Sequence, residues 1–372
     1  MANAPDVCIR GAGIAGRALA LLLARDRLRV ALVGNQGAPG GATSDVRAYA
    51  LNSASRDLLE RVRAWPDEQH ATPVLAMEVH GDEGGLVRFD AGAAGATALA
   101  WIVDVPALQQ RLAEALRYQP LVDWIEAPVS APLTVVCEGK HSMTRSEFGV
   151  QFDVTAYPQR AIAARLRCER PHGQVARQWF SGPDILAFLP LGDSAAADGG
   201  NSVALVWSVD ERRAPELLAL DDSGFEAQLE AACGAALGKL KLISERAAWP
   251  LQLAVADRWC GPGWVLVGDA AHTVHPLAGQ GLNLGLADAS ELARVLHSRE
   301  AWRGVEDVKL LRRYERARKA DVLAMGATTD GLQQLFAQDA EPWTSLRNWG
   351  MKGFDRSGWV KQWVTKQAMG RH

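Results

Sequence analysis

The chain has 372 residues, 48% of them apolar, and a formal net charge of −3 at pH 7. That length can bury core for two or three domains, and the near-neutral balance leaves no basic excess to attract nucleic acid. The five cysteines (Cys8, Cys137, Cys168, Cys233 and Cys260) are scattered and odd in number, which argues against a zinc site or a disulfide framework and fits a reducing, cytoplasmic compartment. No apolar run reaches the ~20 residues that span a bilayer, and no targeting segment is expected ahead of the first motif.

Asp6 to Arg10 reads as a short strand, Gly11-Ala-Gly13-Ile14-Ala15-Gly16 as a turn, Arg17 to Arg25 as a buried helix and Leu28 to Val33 as a second strand. This is the βαβ unit of a dinucleotide site: Gly11 permits the turn, Gly13 lets backbone reach a pyrophosphate, and Gly16 lets helix pack closely on strand. The acidic residue that usually ends the second strand and holds a ribose hydroxyl is replaced by Gly34-Asn35-Gln36. Losing one charge-assisted hydrogen bond costs roughly 1.5 to 3 kcal/mol, so weaker dinucleotide binding is expected, with Asn35 or Gln36 substituting in part. Arg10 is unusual in a strand buried on both faces; it pairs either with a phosphate or with a carboxylate.

Asp45 to Leu51 leads into a helix from Ser53 to Arg63, and Arg47 either returns toward the cofactor or is a solvated loop arginine. Alternation in Ala76 to Phe89 predicts two strands around the turn Asp82 to Gly85. Trp101 to Val105 is another strand, and Pro106 opens a helix through Leu116. From Val150 to Pro250 the pattern turns to strands: Val150 to Tyr157, Ala161 to Glu169, Val175 to Phe180, Ile185 to Pro190 and Ser202 to Val209, with one helix near Phe225 to Leu237.

The strand Trp264 to Val267 then feeds Gly268-Asp269-Ala270-Ala271-His272-Thr273-Val274-His275-Pro276-Leu277-Ala278-Gly279-Gln280-Gly281-Leu282-Asn283, and a helix from Leu284 to Leu296 follows. A loop rich in glycine with one fixed carboxylate lets backbone N–H groups approach a ligand and aims a helix N-terminus at negative charge. Asp269 suits a polyol, and the amides of Gly279 to Leu282 suit an anionic ring, demands that a flavin meets together. His272 and His275 have no carboxylate or cysteine at metal-ligand spacing, so a structural or supporting role is expected, with His275 the better placed to face the active site. Val308 to Met325 reads as a charged amphipathic helix. The tail from Glu341 carries Trp343, Trp349, Trp359 and Trp363 with six Lys or Arg against two acids. That composition suits a membrane interface or a partner surface, or helices that pack their tryptophans into the core.

These residues resemble the class A flavin-dependent monooxygenases, and within them the UbiH-type ubiquinone-biosynthesis hydroxylases. The likeness rests on Gly11-x-Gly13-x-x-Gly16, Arg47-x-x-Ala50-Leu51-Asn52, Glu138-Gly139-x-x-Ser142-x-x-Arg145, Leu189-Pro190-Leu191, Val206-Trp207-Ser208, Trp249-Pro250-Leu251 and the Gly268 to Asn283 segment. It implies an α/β fold: a Rossmann-like FAD-binding domain of the GR2 type (1–75, 101–149 and 255–300), an inserted, mostly antiparallel substrate domain (76–100 and 150–254) and a C-terminal helical region (301–372). It implies FAD, bound by Gly11, Gly13, Ile14, Ala15, Gly16, Asn35, Gln36, Arg47, Gly268, Asp269, Pro276, Gly279, Gln280, Gly281, Leu282 and Asn283. NADH or NADPH would reduce the flavin, O2 would add at ring carbon 4a as a hydroperoxide, and hydroxyl would pass to a phenol, most concretely a polyprenylated one of ubiquinone synthesis. The backbone at Gly279 and Gly281 would stabilise charge on the ring, Pro276 would wall its reacting edge, and His275 would face it. Rival implications are a hydroxylase of a small aromatic or secondary metabolite, and a flavin-poor relative kept as a non-catalytic subunit. A homodimer and a peripheral membrane or complex contact through the tail fit the same reading. The chain departs from the family at Gly34, at Glu138 where aspartate is usual, and in the short stretch between Arg117 and Glu138, too short for the usual three-stranded meander.

Overall fold

The computed structural model describes residues 4–34, 45–81, 85–182, 184–192, 200–273 and 280–337, with side chains of the last segment described from 281 to 323. In chain order the elements are β1 (Val7–Arg10), α1 (Ile14–Arg25), β2 (Val30–Val33), β3 (Ala48–Leu51), α2 (Ser53–Arg61), β4 (Ala71–Val74), β5 (Ala76–His80), β6 (Leu86–Asp90), β7 (Ala100–Asp104), α3 (Val105–Arg117), β8 (Val122–Ile125), β9 (Leu133–Val136) and α4 (Met143–Glu147). Then come β10 (Phe152–Cys168), β11 (Val175–Ser181), β12 (Asp184–Leu191), β13 (Ser202–Asp210), α5 (Arg213–Ala219), α6 (Asp222–Cys233), β14 (Leu240–Leu242), β15 (Ala247–Ala256), β16 (Cys260–Gly261), β17 (Trp264–Leu266), β18 (His272–Thr273), α7 (Gln280–His297) and α8 (Val308–Ala337).

The first sheet runs β16-β17-β9-β1-β2-β8, with β1 at its centre, parallel to both β2 and β9. β1, β2 and β9 are short and almost wholly apolar, as strands covered on both faces must be, and α1 packs on them through Leu19 and Leu23, both fully buried. Two glycines set the distance between helix and sheet. A Cβ on Gly16 would lie 2.1 Å from the carbonyl oxygen of Gly11, and one on Gly11 (φ +110°) would lie 2.4 Å from that of Cys137. Residues 126–132 join β8 directly to β9, with no strand between them, so the meander is absent as its short spacing implied.

The second sheet runs β18-β15-β10-β13-β12-β11-β5-β6, with β14 pairing β10, and is antiparallel except where β11 meets β5. The sequence suggested two strands where the structure has the single 17-residue β10. Its register shifts against β15 between Ala156 and Arg160; that bulge takes up Pro158, which has no N–H to give a ladder. Helix α5 was not anticipated, and α6 begins and ends earlier than expected, from its cap at Asp221 to Gly234 at φ +59°. A third, three-stranded antiparallel sheet, β3-β7-β4, contributes residues to a common cavity with the second. No helix among the described residues is long and apolar enough to cross a membrane.

Candidate active site

The cofactor expectation centres on two helix starts and one turn. At the N-terminus of α1, a Cβ on Gly13 would meet nothing within 4 Å, and the same holds for Gly281 at the start of α7. Neither helix has an acid in its first turn, so no carboxylate there offsets the positive dipole end that each presents. Between them, Gly268 (φ +64°) opens the turn after β17, and Ala15, Gly268 and Gly285 approach within 4 Å of one another at the positions a Cβ would occupy. Gly11, Ile14, Ala15 and Gly16 thus bring the start of α1 against the turn that carries Asp269. Open ground over two helix starts beside an exposed carboxylate fits a dinucleotide with a polyol chain.

Asp269 is exposed, yet the protein crowds it on its other sides. Desolvation and the charge of Asp288 push its carboxyl above the ordinary aspartate value, against the opposing pull of His272, Lys140 and Arg47. Among the described residues no hydrogen bond reaches the Asp269 carboxylate, and its backbone is what orients it.

Behind the turn lies a buried polar network that the sequence did not reveal. Asp288, on α7 and fully buried, accepts from the Gly268 N–H at 2.9 Å, from His272 Nε2 at 2.6 Å and from Arg318 Nε at 2.7 Å. A carboxylate can only accept, so the His272 proton sits on Nε2. Burial would raise Asp288, but His272 and Arg318 outweigh it and hold the carboxyl below its usual range. Arg145 Nη1 donates to the Ala270 carbonyl and its Nη2 to that of Lys140, while its guanidinium lies 3.6 Å from the Phe152 ring centroid. The only sequence hint of Asp288 was its place on the helix after the Gly-rich loop. Arg318 was one of many charges on α8.

Glu138 spends its carboxylate on its own turn, accepting from Ser142 Oγ, Thr144 N and Thr144 Oγ1 at 2.7, 3.1 and 2.7 Å. Burial opposes ionisation there, yet these bonds and the charge of Arg10 leave it lowered. Arg10 takes the carboxylate alternative, 3.2 Å from Glu147, and also donates to Thr144 Oγ1. A Cβ on Gly34 would lie 2.6 Å from that of Ala12, so a glutamate could not replace Gly34 without moving the Gly-rich turn. Arg17, not anticipated as part of this region, donates to the carbonyls of Ala12 and Gln109 and braces the same turn.

Asn283 ties the start of α7 to the neighbouring sheet. Its Oδ1 accepts from Asn52 N and Ser55 Oγ at 3.0 and 2.7 Å, and its Nδ2 donates to the Ala50 carbonyl at 2.8 Å. Leu282 is half-buried against the core. Asn35, Gln36, His275, Pro276 and Gly279, the side chain of Gln280, and the tail with Trp343, Trp349, Trp359 and Trp363 lie outside the described residues.

β3, held by Asn283, lines a cavity of about 120 Å³ between the second and third sheets, open to solvent at its mouth. Its walls are mostly small and apolar, with Ala48, Ala50, Ala100, Ala163, Ala176, Ala187 and Ala204 beside Met77, Ile102, Leu189 and Trp249. Pairing across the sheet explains the space: Ala163 and Ala187 flank Val206 from adjacent strands and share its face. Arg47 and Tyr49 line the cavity as well, and both lie within electrostatic reach of Asp269. Arg47 is clamped by Asp45 at 2.6 and 2.8 Å, which raises its pKa. Burial pushes the Tyr49 hydroxyl up. The apolar space therefore adjoins the turn that carries Asp269.

Residues 125–328 match the family model described as an FAD binding domain. The chain is 31% identical to 3-demethoxyubiquinol 3-hydroxylase of Escherichia coli, with the whole of both chains covered. It is 30% identical to ubiquinone hydroxylase UbiL of Rhodospirillum rubrum, over 98% of this chain and 89% of that one. Among solved structures, p-nitrophenol 4-monooxygenase PnpA of Pseudomonas putida superposes with a TM-score of 0.77 at 16% identity, covering 99% of this chain and 98% of the other. PqsL of Pseudomonas aeruginosa, in complex with 2-aminobenzoylacetate, gives 0.75 at 22% identity, over 92% and 99%.

Proposed function

The chain belongs to the FAD-dependent monooxygenases, in the branch of the ubiquinone-biosynthesis hydroxylases, and from that premise we propose that it hydroxylates the ring of a polyprenylated phenol or quinol. The observation that carries this reading is the alanine-walled cavity beside the Asp269 turn. Its walls are almost wholly apolar, so an aromatic ring seated there gains roughly 25 cal/mol for each Å² removed from water, and an apolar tail leaving through the mouth extends that gain.

FAD, reduced by NADH or NADPH, supplies the activation of O2 and the transfer of one oxygen atom to an electron-rich ring. This chain's residues do the holding. The N–H groups at the starts of α1 and α7, at Gly13 and Gly281, bind negative groups of the cofactor. Asp269 accepts from its polyol hydroxyls, with Gly268 giving the turn its shape. The side chain of Asn283 keeps α7 in register with β3, so the ring and the cavity stay at a fixed distance. Arg47 and Tyr49 place polar groups at the junction, where a phenolic oxygen can be oriented, and the apolar walls keep water from the reacting ring. Gly279, Gln280, Leu282 and Pro276 complete the ring environment in this reading, with His275 beside it and Asn35 or Gln36 at the ribose. No side-chain base is invoked.

The test is product formation from two substrates that share one phenolic head, one carrying a polyprenyl tail and one bare. Hydroxylated product from the tailed phenol, with turnover of the bare head at least tenfold lower in kcat/KM, supports the reading. Equal turnover of both would move it to a small-aromatic hydroxylase.

A further inference from the structure

Among the described residues the Asp269 carboxylate has no hydrogen bond of its own, and what orients it there is the backbone that carries it. Four of the ties that described residues make to this turn are Gly268 N–H to Asp288, the Ala270 carbonyl to Arg145, the Ala271 carbonyl to Ala256 N–H at 2.8 Å, and the His272 ring again to Asp288. Two of these four fall on one oxygen, Oδ2 of Asp288. Asp288 thus fixes both ends of the turn, Gly268 and His272, four residues apart on either side of Asp269, and the two ends cannot move independently.

Asp288 is fully buried, and an isolated buried carboxylate protonates rather than stay charged. Protonation would turn an acceptor into a donor and cost the turn one of its ties. Two partners keep Asp288 ionised: His272, bonded to Oδ2, and the guanidinium of Arg318, whose Nε sits 2.7 Å from the other oxygen, Oδ1. Arg318 is itself 7% exposed and is also paired to Asp321 at 2.6 Å. It comes from α8, which contributes no residue to the turn.

We propose that Asp288 and Arg318 are positioning residues for the cofactor: the Arg318 charge on α8 keeps Asp288 an acceptor, and Asp288 presets the Gly268–His272 turn so that Asp269 meets FAD without reorganisation. The inference rests on the reading that Asp269 holds FAD. Preorganisation of this kind is worth what a mobile carboxylate would lose on ordering. A network that served only the stability of the fold would leave FAD affinity alone.

The experiment titrates FAD into the apo form of the full chain and follows flavin fluorescence and visible circular dichroism, with thermal melts of each apo-protein alongside. The variants are Asp288→Asn, Arg318→Met and Arg318→Lys, with Tyr314→Phe as control. Tyr314, fully buried on the same helix, donates to the Leu266 carbonyl at 2.9 Å and has no bond to the turn. Asp288→Asn and Arg318→Met are expected to raise the FAD Kd about ten- to a hundredfold and to alter the visible dichroism, with Arg318→Lys restoring most of the affinity. Tyr314→Phe is expected to lower the melting temperature with Kd unchanged. If Asp288→Asn does not fold, the Met and Lys variants at 318 decide on the same criterion. Kd values within twofold of wild type for Asp288→Asn, or for both variants at 318, overturn the proposal, as does a Tyr314→Phe protein that loses affinity equally. Wild type that fails to take up FAD overturns the cofactor reading itself, and this inference with it.

Discussion

The two sides of the site are built by different means. The Gly268–His272 turn, proposed to hold the cofactor, is held by named hydrogen bonds to a buried charge network, each with a defined donor and acceptor. The cavity proposed for the substrate is a volume left between two sheets by small side chains, with few polar groups in its walls. The first is specified by chemistry at single atoms, and the second by the sum of many side-chain sizes. One predicts abrupt failure when a single contact is changed, and the other predicts graded change.

The largest effect is expected on the cofactor side at Gly16. A Cβ there would sit 2.1 Å from the Gly11 carbonyl, and neither α1 nor β1 can yield without opening the core. Gly16→Val should cost about 3 kcal/mol or more, read as a lowered urea midpoint, with loss of FAD binding. Next comes the cavity side. Ala187→Phe should displace roughly 80 Å² of ligand contact, about 2 kcal/mol or thirtyfold in kcat/KM for the tailed phenol, with FAD affinity unchanged. If that substitution also released FAD, the two sides would not be separable.

A smaller effect is expected from pH. The folded-state pKa of Asp269 is raised, mainly by desolvation, so its acceptor form is lost on acidification earlier than for a free aspartate. FAD affinity should therefore fall as pH drops, with a midpoint above the ordinary value of ~3.9, and Asp269→Asn should flatten the profile. Asp288, whose pKa is lowered, contributes stability that is present above the unfolded pKa and lost only as pH falls through its depressed value. The turn's support thus outlasts its ligand contact on the acid side. The smallest effect belongs to Arg10→Ala, which removes a partly exposed pair with Glu147 worth at most about 1 kcal/mol after solvent screening.

The same contrast explains what could be read in the chain. Gly11, Gly13, Gly16 and the Gly268-Asp269 pair were legible because backbone approach demands glycine at fixed spacing, whatever the rest of the sequence does. Most strands of the second sheet were legible from their period of two; β10 was split at Pro158, where a bulge lets it run through, and β14, β15 and β18 were not anticipated. Asp288 and Arg318 were not, since a buried ion pair joins residues 30 apart and no local pattern marks which of many helical charges turns inward. Nor were the alanines of the cavity, because Ala163 and Ala187 define a space only once β10 and β12 flank β13 in register. Glu138 and Gly34 read as departures. In the structure the first caps its own turn, and the second is the residue that the Ala12 side chain allows.

The most direct test of the account is one turnover experiment under ¹⁸O2, with FAD, a nicotinamide nucleotide and the polyprenylated phenol, and the product's mass as the readout. A monooxygenase working through the adjoining turn and cavity should place a single labelled oxygen on the ring, with reductant consumed in step with product. Product without label, or reductant consumed with no product formed, would contradict it.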